Sequence, residues 1–165
     1  MPGEEAMPGR PRLLELASER VVVLDGAMGT MIQAAAPAPE DFRGLDGCNE
    51  ILVETRPDLI LDIHAAYLQA GCDAVETDTF GANGVVLGEY GVAARTEELN
   101  RIAASLARRA ALDFSSPDRP RFVLGSIGPG TRLPSLGHIS FQDLVGAFEP
   151  QVRGLLAGGA DAHCI

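Results

Sequence analysis

Short apolar runs alternate with stretches of helical periodicity along the chain. The runs begin near residues 21, 72, 121 and 160, and the first three end in small or polar residues. Apolar runs of this length, rich in β-branched residues, predict buried strands. Between them, apolar residues recur at helical spacing, which predicts helices over residues 57–70, 96–112 and 140–156.

Local signals mark several of these boundaries. Pro57 and Asp58 are typical of a first helical turn, and Gly71 is typical of a helix end. Ser140, with Asp143 three residues later, resembles a capping box. A short helix is predicted before the first strand, whereas residues 27–56 and the glycine-rich stretch near residues 80–95 are predicted to be loops, the former with a short helical piece.

Strands that alternate with helices indicate parallel pairing through helical crossovers. The sequence therefore predicts an α/β fold with three complete strand–helix units and the start of a fourth strand. In such folds ligands bind at the carboxyl ends of the strands. Three polar or glycine-containing segments lie at those ends: residues 25–30, 77–79 and 125–130.

Composition and charge narrow the classes of function. The 165 residues are 46% hydrophobic and 22% charged, which is typical of a globular protein. A formal net charge of −10 argues against a nucleic-acid partner. No apolar run is long enough to span a bilayer, and the acidic, proline-containing N-terminus does not resemble a signal peptide, so no membrane partner and a cytoplasmic location are predicted.

The chain is predicted to have a mobile leader at residues 1–12 and one incomplete domain at residues 13–165. Its three cysteines, Cys48, Cys72 and Cys164, are far apart and form no CxxC pair. They indicate neither a disulfide framework nor a zinc knuckle, and buried apolar roles are favoured.

The candidate chemistry lies at the first two strand ends. Asp25 is either an acceptor for a substrate ammonium group or the first residue of an Asx turn. Thr77 and Thr79 alternate, so both hydroxyls face the same way, either toward a small polar ligand or simply because threonine favours strands. Glu76 faces the opposite way. The glycines match neither a dinucleotide-binding nor a phosphate-binding loop.

Several motifs together resemble the homocysteine S-methyltransferase family. They are DGAMGTMIQ, GCNEILVETRPDLILDIHAAYLQAG, DAVETDTFGAN, ELN and RFVLGSIGP, in consistent order over about residues 20–162. The likeness is strongest to the homocysteine-binding module of its cobalamin-dependent members. It implies a partial (β/α)8 TIM barrel, comprising about the first three to four βα units, and methyl transfer to the sulfur of homocysteine.

The resemblance also implies a substrate site in this chain. The residues matching the family's homocysteine pocket are Asp25, Gly26, Ala27, Met28, Thr77, Thr79, Ser126 and Gly128. The complete family domain binds zinc through cysteines of later strands, which match none of the three cysteines here, so no metal ligand or catalytic residue is predicted in this chain. Cobalamin and methyltetrahydrofolate belong to other modules of the full enzyme.

Three functional hypotheses therefore stay open. The chain is the amino-terminal part of a zinc-dependent homocysteine methyltransferase, inactive by itself; or a non-catalytic fragment that binds a small amino acid; or an inert product of a truncated gene. Because the edges of a partial barrel are open, aggregation or self-association is also predicted. Pro150, inside a predicted helix, is expected to kink it or to destabilise it by about 3 kcal/mol.

Overall fold

A computed structural model describes residues 13–165, so the predicted leader at residues 1–12 lies outside the described residues. The helices and strands of this part follow in chain order: α1 Leu13–Glu19, α2 Met28–Ala35, α3 Leu52–Thr55, α4 Pro57–Ala70, β1 Ala74–Glu76, α5 Gly84–Glu89, α6 Thr96–Asp113, β2 Phe122–Ser126, α7 Phe141–Ala157 and β3 Ala162–Cys164. No helix in this part of the chain has the length and apolar content needed to cross a membrane.

The three strands form a parallel sheet in the order β1-β2-β3. Helices connect each strand to the next, as the sequence predicts, because parallel neighbours need a long crossover. The α/β prediction is therefore confirmed.

The first predicted strand forms only an edge segment, residues 21–25, beside β1. A single parallel bridge joins Leu24 to Ala74, and the N–H of Asp25 donates to the carbonyl oxygen of Ala74 at 3.1 Å. Val21 is 82% exposed and Val23 is 52% exposed, so the prediction of a fully buried strand is wrong here. In the described residues this segment pairs with β1 on one side only, which leaves its apolar side chains uncovered.

The two faces of the sheet have different environments. Val75 and Val123 point outward and pack against apolar residues of α4 and α6. Ala74, Phe122 and Leu124 define the inner face, which packs against partly buried leucines of α1. Side-chain alternation along β1 therefore places Glu76 on the inner face with Ala74.

The long predicted helices are confirmed as α4, α6 and α7. Pro57 opens α4, and Gly71 ends it with φ of 113°, a conformation that favours glycine. The hydroxyl oxygen of Ser140 accepts the N–H of Asp143 at 3.0 Å, which caps α7. Pro150 lies inside α7, and the helix continues through it.

The two predicted loops contain more helix than the sequence pattern indicates. The segment at residues 27–56 includes α2 and α3, and the glycine-rich stretch includes α5. Ile32 of α2 and Leu87 of α5 are buried against the rest of the protein. This tertiary packing stabilises short helices whose own sequences favour helix only weakly. The side-chain oxygen of Asn83 also accepts two N–H groups at the start of α5.

Candidate functional site

Asp25 ends the edge segment at the carboxyl edge of the sheet. Its Oδ2 accepts the backbone N–H of Glu76 at 3.0 Å, so the side chain links the edge segment to the end of β1. Burial is the main reason that the pKa of Asp25 rises to about 7, and the nearby Glu76 carboxylate raises it further, while the hydrogen bond opposes both. A carboxylate in this state gains strongly from a cationic partner.

Glu76 is a site residue that sequence analysis did not assign to the pocket. Its Oε2 accepts the hydroxyl of Ser126 at 2.8 Å, which joins the ends of β1 and β2 on the inner face. Cys164 lies at the end of β3, where burial and the nearby Glu76 carboxylate raise the pKa of its thiol. The sequence could have indicated this, because successive side chains of a strand point to opposite faces. Glu76 therefore shares the inner face with Ala74 and not the face of Thr77.

Thr77 and Thr79 are buried and hydrogen-bonded to each other, with 2.6 Å between their hydroxyl oxygens. The hydroxyl of Thr79 donates to the carbonyl oxygen of Ser126 at 2.7 Å, and the N–H of Ser126 donates to the hydroxyl oxygen of Thr77 at 3.0 Å. Both threonines therefore bind the backbone of the neighbouring strand end. Their predicted contact with a ligand stays a prediction.

The predicted backbone contacts of residues 26–28 lie at the start of α2. This helix begins at Met28, and Ala27 at its N-cap offers no side-chain acceptor. The Tyr67 hydroxyl donates to the carbonyl oxygen of Ala27 at 3.2 Å, and a Cβ on Gly26 would lie 3.0 Å from that hydroxyl oxygen. The first N–H groups of α2 thus have no side-chain cap, a setting that favours a carboxylate.

Gly128 follows β2 and contacts the loop after β1. Its N–H donates to the carbonyl oxygen of Phe80 at 3.0 Å, and an added Cβ would lie only 2.5 Å from that oxygen. The ring of Phe80 is 65% exposed. Glycine at position 128 therefore allows the two strand-end loops to approach each other.

A second acidic pair lies behind the same loop. Glu50 Oε1 accepts the N–H of Gly81 at 2.9 Å, and its Oε2 accepts the thiol of Cys48 at 3.7 Å. Asp78 is buried, and its Oδ2 has no hydrogen-bond partner among the described residues. Burial, and then Glu50, raise the pKa of Asp78 well above its usual value. Of the two, Glu50 holds the loop, through the N–H of Gly81.

The described residues do not fit a zinc site. In residues 13–165 no group of three or more histidine, cysteine, aspartate or glutamate residues could hold a metal ion. Cys48 and Cys72 are buried, and Cys164 is half-buried.

The fold and these groups define an α/β protein of the parallel, barrel-forming class, with acidic side chains at the strand ends. The chain belongs to the homocysteine S-methyltransferase family, whose model matches residues 22–165. This confirms the resemblance drawn from the sequence motifs.

Among curated proteins, the methionine synthases of two mycobacteria are similar to this chain. The protein of Mycobacterium tuberculosis (strain ATCC 25618 / H37Rv) is 54% identical over 150 residues, which are 91% of this chain and 13% of that protein. The protein of Mycobacterium leprae (strain TN) is 51% identical over 150 residues, which are 91% of this chain and 12% of that protein. The chain thus spans about an eighth of the length of these relatives.

Among solved structures, the homocysteine methyltransferase MmuM from Escherichia coli has the same fold. Its oxidised form gives a TM-score of 0.71 at 27% identity, over 92% of this chain and 55% of that chain. Its apo form gives a TM-score of 0.66 at 25% identity, over 93% of this chain and 52% of that chain. Coverage of about half of those chains confirms a partial barrel.

Proposed function

We propose that the strand-end groups of this chain bind the amino acid end of homocysteine. Asp25 and Glu76 offer two carboxylates to the substrate ammonium group, and the N–H groups at residues 26–28 offer donors to its carboxylate. The observation that carries this assignment is the position of Asp25: its Oδ2 accepts the N–H of Glu76 at 3.0 Å, and burial with the Glu76 carboxylate raises its pKa to about 7. Opposite charges are thus available for both ends of a zwitterion.

The other predicted residues contribute at the second strand end. Ser126 shares its hydroxyl with Glu76, and Gly128 holds the adjoining loop against Phe80. Thr77 and Thr79 contribute indirectly, because the hydrogen bonds of their hydroxyl groups fix the end of β1 against Ser126. The eight residues matched to the family pocket then act together, with Glu76 added to them.

In this proposal the chain is part of an enzyme that transfers a methyl group to the sulfur of homocysteine, as the family name indicates. The chain supplies the substrate-binding part. Zinc to activate the thiol, and cobalamin with methyltetrahydrofolate as the methyl source, belong in this proposal to the complete enzyme, and the 165 residues alone do not catalyse transfer. The location proposed for it is the cytoplasm.

Homocysteine calorimetry on the purified chain, with metal analysis of the same preparation, tests this assignment. We expect binding without stoichiometric zinc, and affinity that increases from pH 5.5 to pH 8 as Asp25 loses its proton. Asp25→Asn should weaken binding about 10-fold to 100-fold, the usual effect of losing a charge-assisted hydrogen bond. Asp46→Asn, at an exposed aspartate, is the matched control.

Three other outcomes separate the alternatives. If the purified chain contains stoichiometric zinc that a chelator removes, the proposal that this chain does not bind zinc is contradicted. Binding of amino acids without preference for homocysteine would favour a general amino acid-binding fragment. No binding at any pH would favour an inert product of a truncated gene.

Self-association through open edges is a second proposal, supported by exposed apolar groups. Val21 and Val23 of the edge segment are exposed, and Phe141 at the start of α7 is 73% exposed. Such surfaces favour contact with other chains. Light scattering over a concentration series is expected to detect oligomers; a monomer with one sharp thermal transition would contradict this proposal.

A further inference from the structure

The loop at residues 79–83 connects the two strand ends of the proposed site. The hydroxyl of Thr79 donates to the carbonyl oxygen of Ser126, and the carbonyl oxygen of Phe80 accepts the N–H of Gly128. Ser126 in turn donates to Glu76. A shift of this loop would therefore move the groups proposed to contact the substrate.

Two buried side-chain amides hold this loop from the helices behind it. Nε2 of Gln151, on α7, donates to the carbonyl oxygen of Thr79 at 2.8 Å. Nδ2 of Asn100, on α6, donates to the carbonyl oxygen of Ala82 at 2.8 Å and to Thr96 of its own helix at 2.7 Å. Both side chains are fully buried.

Close helix packing brings these amides to the loop. A Cβ on Gly154, three residues after Gln151, would lie 2.8 Å from Cβ of Asn100. A Cβ on Gly84, at the start of α5, would lie 3.3 Å from the carbonyl oxygen of Ala147, four residues before Gln151. Gln151 thus lies between the contacts of α7 with α6 and with α5.

The amides cannot be explained by core stability alone. Oε1 of Gln151 and Oδ1 of Asn100 are buried without a hydrogen-bond partner among the described residues. Burying unpaired polar atoms is unfavourable, and apolar side chains of similar size would avoid it. What the amides provide is a directional bond to each end of the loop.

We propose that Gln151 and Asn100 are positioning residues that hold the loop at residues 79–83, and through it the Ser126 and Gly128 end of the site, in the geometry that binds substrate. The loop-ordering part stands on hydrogen bonds alone. The substrate part rests on the proposed function. The two side-chain amides do not themselves titrate, unlike Asp25.

Hydrogen exchange of the purified chain tests the loop-ordering part. The backbone N–H groups of Thr79, Gly81 and Ala82 are hydrogen-bonded, so their exchange rates report opening of the loop. Gln151→Met keeps the side-chain length and removes the donor. We expect exchange at these amides to be about fivefold to tenfold faster, the effect of one lost hydrogen bond, with β2 amides unchanged.

The controls separate positioning from general stability. Gln142→Met makes the same change at an exposed position of α7 and should alter neither region. The midpoint of urea unfolding should change little in Gln151→Met. The substitution removes the unpaired Oε1 of Gln151, but it leaves the carbonyl oxygen of Thr79 without its donor, so the two effects on stability oppose each other. Unchanged loop exchange, or equal acceleration in the loop and in β2, would overturn the proposal. If Gln151→Met fails to fold, Asn100→Leu, measured at Gly81 and Ala82, decides it in the same way.

Homocysteine calorimetry on the same variants tests the substrate part. We expect weaker binding by about fivefold or more in Gln151→Met and wild-type affinity in Gln142→Met. Wild-type affinity in Gln151→Met, despite faster loop exchange, would overturn the substrate part. Absence of binding by the wild-type chain would instead refute the proposed function, and the exchange result would still decide whether the amides order the loop.

Discussion

The same substitution at two glycines of α7 is expected to have opposite effects on stability. Gly154 faces α6 so closely that an added Cβ would lie 2.8 Å from Cβ of Asn100, and in contact with the backbone carbonyl of Glu97. Gly146, two turns earlier, is exposed and has no atom within 4 Å of an added Cβ. Neither glycine has a positive φ.

The magnitudes follow from two competing terms. Alanine is favoured over glycine in a helix interior by about 1 kcal/mol, and this gain applies at both positions. At Gly154 the obstacles include backbone atoms, which cannot rotate away, so α6 and α7 must separate. Overpacking of this kind costs about 1–3 kcal/mol or more. We expect Gly146→Ala to stabilise the chain by about 0.5–1 kcal/mol, and Gly154→Ala to destabilise it by about 1–2 kcal/mol.

Urea unfolding followed by far-UV circular dichroism measures both variants against the wild type. Equal slopes of the transitions are required, because a changed slope would indicate a change in the denatured state or a loss of two-state behaviour. A Gly154→Ala chain that is as stable as the wild type would refute the close packing of α6 on α7. A destabilised Gly146→Ala chain would refute the open environment of that position.

Three further substitutions test named contacts by urea unfolding. Arg20 lowers the pKa of Asp73 from 3.8 to about 2. The ion pair therefore stabilises the fold above pH 3.8, and this stabilisation is lost as the pH falls through 2. Because Arg20 is partly exposed, Asp73→Asn should cost about 1–2 kcal/mol at pH 7 and less at pH 2. Burial lowers the pKa of His64 from 6.5 to about 4, so stability should fall as pH drops from 6.5 through 4, and His64→Leu should flatten this fall. Asn83→Ala removes the cap of α5 and should cost about 1 kcal/mol, whereas Asn83→Asp keeps the acceptor and should cost less.

The long helices could be predicted from the sequence because their burial is one-sided. In α6 the buried positions Leu99, Ala103 and Ala107 recur at helical spacing, and exposed charged residues occupy the other side. Such a pattern identifies both the helix and the face it buries. The parallel sheet then followed from helices that alternate with strands.

The short elements and the details of the site could not be predicted in this way. The helix α5 contains two glycines and has no clear period, and it exists because Asn83 caps it and Leu87 is fully buried. Whether a strand-end hydroxyl faces a ligand or a neighbouring strand also depends on register. Thr77 and Thr79 lie beside Ser126 only because β2 pairs with β1 in the observed register.

Two aspartates at opposite ends of this sheet region affect stability in opposite directions at neutral pH. Asp73 is paired with Arg20, its pKa is lowered, and its charge stabilises the fold at neutral pH. Asp25 is partly buried beside Glu76, and its raised pKa means that its charge destabilises the ligand-free fold as pH rises from 3.8 through about 7. An Asx turn alone would not require this cost, because asparagine could make the same bond. A carboxylate that is unfavourable without a partner, at the carboxyl end of parallel strands, is the arrangement expected where the partner is a bound cation such as a substrate ammonium group.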